Sequence, residues 1–181
     1  TVKAPLVNMK VDLGVVRDCI DDYTRVIFLN NPNNPTGTIF SDREFKAFLK
    51  DLPTDILVVV DEAYAEFVES KTFPNSFPCI DDYPVVVLRT FSKAYGLAGL
   101  RIGYGVGEES IISFLERTKQ PFSVNIMAIM AAKAALTDQK YLKKVLNNNR
   151  KGKKFLYTAL QSLSIEFTPS EANFILVKVG P

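Results

Sequence analysis

Val85-Val86-Val87-Leu88-Arg89-Thr90-Phe91-Ser92-Lys93-Ala94-Tyr95-Gly96-Leu97-Ala98-Gly99-Leu100-Arg101 is the stretch on which the reading of this chain turns. Its first five residues are an aliphatic run with a polar end, the pattern of a strand buried on both faces of a parallel sheet. One lysine follows, flanked by hydroxyls and small residues, and an arginine stands eight positions beyond it. A lysine that is to form an imine must be neutral for part of its life. The end of a buried strand offers the water-poor pocket that this needs.

Upstream, Arg25 to Asn30 and Ile56 to Asp61 repeat the form, each an aliphatic run closed by a polar residue. Between them Ser41 and Glu44 make a capping box, Phe45, Phe48, Leu49 and Leu52 recur at helical spacing, and Pro53 stops the helix. Strand, helix, strand is a βαβ unit, normally right-handed. Arg101 to Gly107 reads as a further strand whose glycines permit close packing. Gly103, Gly105 and Gly107 do not keep the G-x-G-x-x-G spacing of a dinucleotide loop.

Beyond it, Glu108 and Glu109 open a helix. A second, rich in alanine and methionine, runs from about Asn125 to Leu136 and is expected to be buried. A long third, capped by Asp138, reaches Leu163. Short strands near Ile165 to Phe167 and Asn173 to Val179 close the chain. The expected fold class is α/β, with a mostly parallel sheet in residues 1–122 and part of a smaller α+β domain in residues 123–181.

The bulk numbers exclude several classes. At 181 residues and 47% hydrophobic content the chain can bury a core, and 22 basic against 20 acidic residues, without a basic cluster, do not indicate nucleic acid. With no histidine, Ser-His and Cys-His catalytic arrangements and most zinc sites are excluded within these residues. Cys19 and Cys79 lack a short-spaced pattern, so a reducing compartment is expected and no metal. No apolar run reaches the roughly 18 residues of a membrane helix, so a cytoplasmic location without a membrane partner is expected. A first residue Thr1 and a last pair Gly180-Pro181 read as a fragment of a longer polypeptide.

In an open α/β sheet, ligands sit beyond the carboxyl ends of the strands. Asn34, Asp61, Tyr64 and Lys93 fall at or after such ends, and Arg101 joins them if its strand runs antiparallel. Taken singly each has a plainer reading. Asn34-Pro35-Thr36-Gly37 is a turn, Asp61-Glu62 a strand end and helix start, Tyr64 packing, Lys93 a solvated lysine and Arg101 half of a surface ion pair. Their joint order at successive strand ends is what favours a site. The chemistry suits pyridoxal phosphate: Asp61 to hold the pyridine nitrogen protonated, Asn34 and Tyr64 to donate to the ring oxygen, Thr90, Ser92 and Arg101 to hold the phosphate, Lys93 to carry the cofactor and move a proton.

Asn33-Asn34-Pro35-Thr36-Gly37, Asp61-Glu62-Ala63-Tyr64 continuing to Glu66-Phe67, and the run from Thr90 to Tyr104 resemble the signatures of the fold-type I, pyridoxal phosphate-dependent aminotransferases of class I/II, most closely their histidinol-phosphate aminotransferase branch. The resemblance implies a three-layer fold, pyridoxal 5'-phosphate as cofactor on the residues just named, and a homodimer with sites at the subunit interface. It implies amino transfer between L-histidinol phosphate and 2-oxoglutarate, giving imidazole acetol phosphate and L-glutamate in histidine biosynthesis. By the same resemblance the substrate-binding arginine and the aromatic that stacks on the cofactor lie outside these residues, so this piece by itself is expected to be inactive. Three alternatives stand beside it: an aminotransferase for aromatic or other amino acids, a decarboxylase on the same scaffold acting on threonine phosphate, and a non-catalytic piece that only packs or dimerises.

Overall fold

The computed structural model describes residues 1–180. Strands β1 (Val26–Asn30), β2 (Leu57–Asp61) and β3 (Val85–Thr90) lie side by side and parallel, and β4 (Gly103–Val106) pairs antiparallel with β3, so the sheet order follows the chain order. The fold is α/β, with the parallel pairing that the aliphatic runs require.

Ahead of the sheet, α1 (Leu13–Asp18) is a helix that the hydrophobic pattern does not reveal; Asp12 caps it by accepting from the amides of Gly14 and Val15. α2 (Asp42–Lys50) bears the expected capping box, with Ser41 and Glu44 satisfying each other's backbone amides, and buries Phe45, Phe48 and Leu49. Along the strands alternate residues turn to α1 and α2: Ile27 and Leu29, Val58 and Val60, Val85 and Val87 join Leu13, Val16, Phe40, Phe45, Phe48 and Leu49 in one cluster. Cys79, on the turn Phe77–Asp81, completes it. Toward the other face β1 is bare, with Phe28 73% exposed.

Glycines matter at β4. A Cβ on Gly103 would stand 2.7 Å from the carbonyl oxygen of Arg89, and one on Gly107 2.9 Å from Val86, so the strand lies closer to β3 than an alanine permits. Arg101 does not begin this strand. Pairing starts with Gly103 opposite Thr90, and Arg101 instead turns the chain out of the short 3-10 helix Ala98–Leu100 in the left-handed conformation, φ 51°.

Helices α3 (Glu109–Thr118), α4 (Ile126–Thr137) and α5 (Gln139–Ser162) follow, capped by Glu108, Asn125 and Asp138. The expected burial of α4 is not observed. Only Ala128 and Ala132, one turn apart, are covered, while Ile126, Met127 and Met130 are largely exposed. Alanine lets a neighbour approach along one stripe, and the bulky side chains take the remaining faces. Strands β5 (Phe167–Thr168) and β6 (Leu176–Val177) form a two-residue antiparallel pair, shorter than the sequence suggests. Among the described residues no helix is long and apolar enough to cross a membrane.

A second, smaller cluster ties the carboxyl-terminal segment to the sheet: Tyr64, Phe67, Ala94 and Ala172, flanked by Leu142, Val145, Leu146 and Phe174. Gly37, at φ +72°, packs so tightly on Ser170 that a Cβ there would fall 2.0 Å from its hydroxyl, and the amide of Glu171 donates to the Gly37 carbonyl at 2.8 Å. Glu171 accepts from the Glu69 amide at 2.7 Å, and Arg150 meets Glu69 at 2.7 Å.

Candidate active site at the carboxyl rim of the sheet

Asn30 at the end of β1 stands opposite Asp61 at the end of β2, and the ladder runs one residue further, where the Asn31 amide donates to the Asp61 carbonyl at 3.0 Å. The loop that follows is held from inside. Fully buried Asn31 both donates to and accepts from the Phe40 backbone, and Asn33 donates to Thr36 Oγ1 at 2.8 Å. With its neighbours fixed in this way, Asn34 presents its amide outward, and Nδ2 donates to Tyr64 Oη at 3.1 Å.

Tyr64 is the centre of the group. Its ring is 9% exposed, meets Phe174 edge-on at 5.0 Å between centroids, and has Lys93 Nζ 5.0 Å above its face. Tyr64 therefore joins Asn34 through a hydrogen bond and Lys93 through the face of its ring. Asp61 sits three positions before Tyr64; its Oδ1 accepts from the Ala63 amide at 3.0 Å, and Oδ2 makes no hydrogen bond among the described residues. Thr90 Oγ1 accepts from the Ser92 amide at 3.0 Å, which draws those two hydroxyls to one turn. Phe91 donates to the Ile102 carbonyl, so Arg101 comes back beside that turn, but its guanidinium donates to the Ala98 carbonyl at 2.9 Å and meets neither hydroxyl.

The water-poor pocket expected around Lys93 is not formed by these residues. Lys93, Asn34 and Arg101 are exposed, and Asp61, Thr90 and Ser92 half-buried. Two surface clefts of about 410 and 460 Å³ lie elsewhere, beside α1 and beside α5.

Directly under the rim lies a group that sequence reasoning gave no role. Arg89 Nη2 contacts Glu62 Oε2 at 2.5 Å, and Arg89 Nη1 donates to Glu66 Oε1 at 3.1 Å. Glu62, fully buried, also accepts from Ser76 Oγ at 2.5 Å. The Arg89 guanidinium stacks over Phe77 at 5.2 Å. Burial pushes both carboxyls up in spite of the arginine, and the arginine stays charged because two carboxylates outweigh its own burial. The signal was present in Glu62 and Glu66 bracketing Tyr64 and in Arg89 preceding Thr90, but nothing in a linear pattern says that these three meet.

The family model for aminotransferases of class I and II matches residues 2–181. The chain belongs to that family. It is 45% identical over 180 residues to the histidinol-phosphate aminotransferase of Moorella thermoacetica, covering 98% of this chain and 47% of that protein. Among solved structures it resembles the histidinol-phosphate aminotransferase from Sinorhizobium meliloti in complex with pyridoxal-5'-phosphate, with TM-score 0.92, 32% identity, and coverage of 99% of this chain and 49% of that one. It also resembles the L-threonine-O-3-phosphate decarboxylase from Porphyromonas gingivalis, with TM-score 0.77, 29% identity, and coverage of 95% and 52%. The chain thus spans about half the length of the curated relatives it matches, and its fold is the α/β fold of these aminotransferase neighbours.

Proposed function

We propose that these residues are the lysine-bearing half of a pyridoxal phosphate-dependent aminotransferase that exchanges the amino group of L-histidinol phosphate with 2-oxoglutarate, giving imidazole acetol phosphate and L-glutamate. The observation that carries the reading is the contact of Asn34, Tyr64 and Lys93 at the carboxyl rim of the sheet. The donor set fits the cofactor: an amide and a phenol side by side, a primary amine over the phenol, a carboxylate with one oxygen uncommitted, and two hydroxyls on one turn. Bound there, pyridoxal phosphate supplies an electron sink for charge developing at the substrate α-carbon.

On this reading Asp61 keeps a proton on the ring nitrogen, and Asn34 and Tyr64 donate to the ring oxygen. Thr90, Ser92 and Arg101 bind the phosphate by charge-assisted bonds. Lys93 Nζ would hold the cofactor at rest and, once freed, would carry the proton between the substrate α-carbon and the cofactor's C4′, the transfer that amino exchange requires. A homodimer, a cytoplasmic setting, histidine biosynthesis as the pathway and a division of the chain near residues 122 and 123 belong to the same reading.

The 45% identity to the Moorella thermoacetica histidinol-phosphate aminotransferase, against 29% to the decarboxylase, supports amino transfer. The test is the full-length protein incubated with pyridoxal phosphate, 2-oxoglutarate and either L-histidinol phosphate or threonine phosphate. We expect glutamate to accumulate with the first, and a visible cofactor absorbance that Lys93→Ala abolishes. Carbon dioxide from the second without glutamate from the first overturns the substrate, and no absorbance overturns the reading as a whole.

A further inference from the structure

The side chains of the buried group formed by Glu62, Arg89 and Glu66 make no hydrogen bond or ion pair to the residues assigned above, yet each of its members is one or two positions from one of them. Glu62 follows Asp61, Glu66 comes two after Tyr64, and Arg89 precedes Thr90. Three segments that are separate in the chain, the end of β2, the turn Ala65–Phe67 and the end of β3, are therefore held at their site-bearing points by one guanidinium. We propose that Arg89, with Glu62 and Glu66, is a positioning cluster for the reaction: it sets where Asp61, Tyr64 and Thr90 stand relative to one another. This inference rests on the reading under Proposed function.

The energetics favour such a role over a purely stabilising one. A buried ion cluster is often no more stabilising than apolar side chains of the same volume. This one is also imperfectly satisfied, since two carboxylates share one guanidinium and both Glu66 Oε2 and Arg89 Nε are buried without a hydrogen-bond partner. What an arginine provides that a hydrophobic residue or a lysine does not is a rigid planar fork that fixes two carboxylates in one geometry. The strand direction supports this division of labour. Successive side chains alternate, so Asp61 and Thr90 face the open rim while Arg89 turns to the side of Val85 and Val87, below it. Tyr95 and Tyr104 face Glu66 and Arg89 from the next turn and from β4, and burial with the neighbouring carboxylate pushes both phenols up, so they stay neutral beside the cluster.

The experiment uses the full-length protein loaded with pyridoxal phosphate and the variants Arg89→Lys and Glu66→Gln. Arg89→Lys keeps the charge and removes the fork; Glu66→Gln keeps the shape and removes the excess charge. Three readouts are taken: kcat and KM for the amino donor, the pH midpoint of the visible cofactor absorbance, and amide hydrogen exchange of residues 61–67 and 88–93 with the cofactor removed. Expected for Arg89→Lys are a fall in kcat of about tenfold, as loss of a fraction of an ångström of alignment gives where about one ångström can cost about 100-fold, with KM within about twofold. The midpoint moves by roughly half a pH unit or more, and both segments exchange faster while distant ones do not. Glu66→Gln moves the same quantities less, and decides the matter if Arg89→Lys does not fold. If the variants lower thermal stability but leave kcat, midpoint and exchange at their wild-type values, the cluster is merely structural and the proposal fails. If wild-type protein itself shows no cofactor absorbance, the underlying aminotransferase reading fails instead.

Discussion

Two hydrophobic clusters in this chain are built in opposite ways. The larger lies between the sheet and α1 and α2, and draws its members from elements that follow one another in sequence. The smaller, around Tyr64, joins residues near positions 64, 94, 145 and 172, which meet only once the chain has folded back on itself. The first is a core whose function is to exist. The second is a seam, and the residues assigned to chemistry sit directly on it, Tyr64 within it and Lys93 above it. A site at a seam can be adjusted by small shifts of one part against another, whereas a site inside the core would be as rigid as the core.

The sharpest test of that difference is truncation in the core. Phe45 is fully buried beneath the sheet, and Phe45→Ala should destabilise the 181-residue chain by about 3–5 kcal/mol, measured as a lower urea midpoint at unchanged slope. The bare Phe28→Ala should stay within about 0.5 kcal/mol. Equal losses would mean that the uncovered face is not uncovered in solution. At the seam, Gly37→Ala places a side chain in the left-handed region and against Ser170. The backbone alone should account for about 1–3 kcal/mol, and Ser170→Gly in the same chain should recover part of the loss. Failure of that rescue would separate Gly37 from the carboxyl-terminal contact.

The smallest effect is electrostatic and has opposite signs over the core and under the rim. Over the core, burial raises Glu44, but the bonds from Lys10 and Ser41 outweigh it and bring the carboxyl to about 2. A depressed folded value stabilises above the ordinary glutamate range and is lost as pH falls toward about 2. Glu44→Gln should therefore lower the urea midpoint near about pH 6, with the difference from the unaltered chain shrinking below about pH 4 as the carboxylate of the latter takes up its proton. Under the rim Glu62 and Glu66 are raised by burial, so their contribution is complete below the ordinary range and fades as pH climbs through their folded values.

The core and most of the rim could be read from sequence because they obey local rules. Aliphatic runs gave the strands, Ser41 with Glu44 gave the helix start, and polar residues at strand ends gave Asn34, Asp61 and Lys93. What was illegible depends on contacts between distant segments. Nothing in the run from Asn125 to Leu136 tells that its alanines, not its methionines, face the protein. The spacing from Arg101 to Gly107 does not show that pairing waits until Gly103. The ion cluster under the rim stayed hidden because Glu62 and Arg89 come from strands whose pairing sets their meeting, and composition cannot reveal pairing.

Arg101 carries its guanidinium from a backbone conformation that few residues besides glycine and asparagine adopt readily, φ 51° and ψ 53°. Glycine or asparagine would relieve that reluctance. Directed evolution that rewards heat resistance alone would thus be drawn to this codon and would discard a proposed anchor while improving every thermal readout. Libraries built on this scaffold should hold position 101 fixed, or select for turnover in the same round.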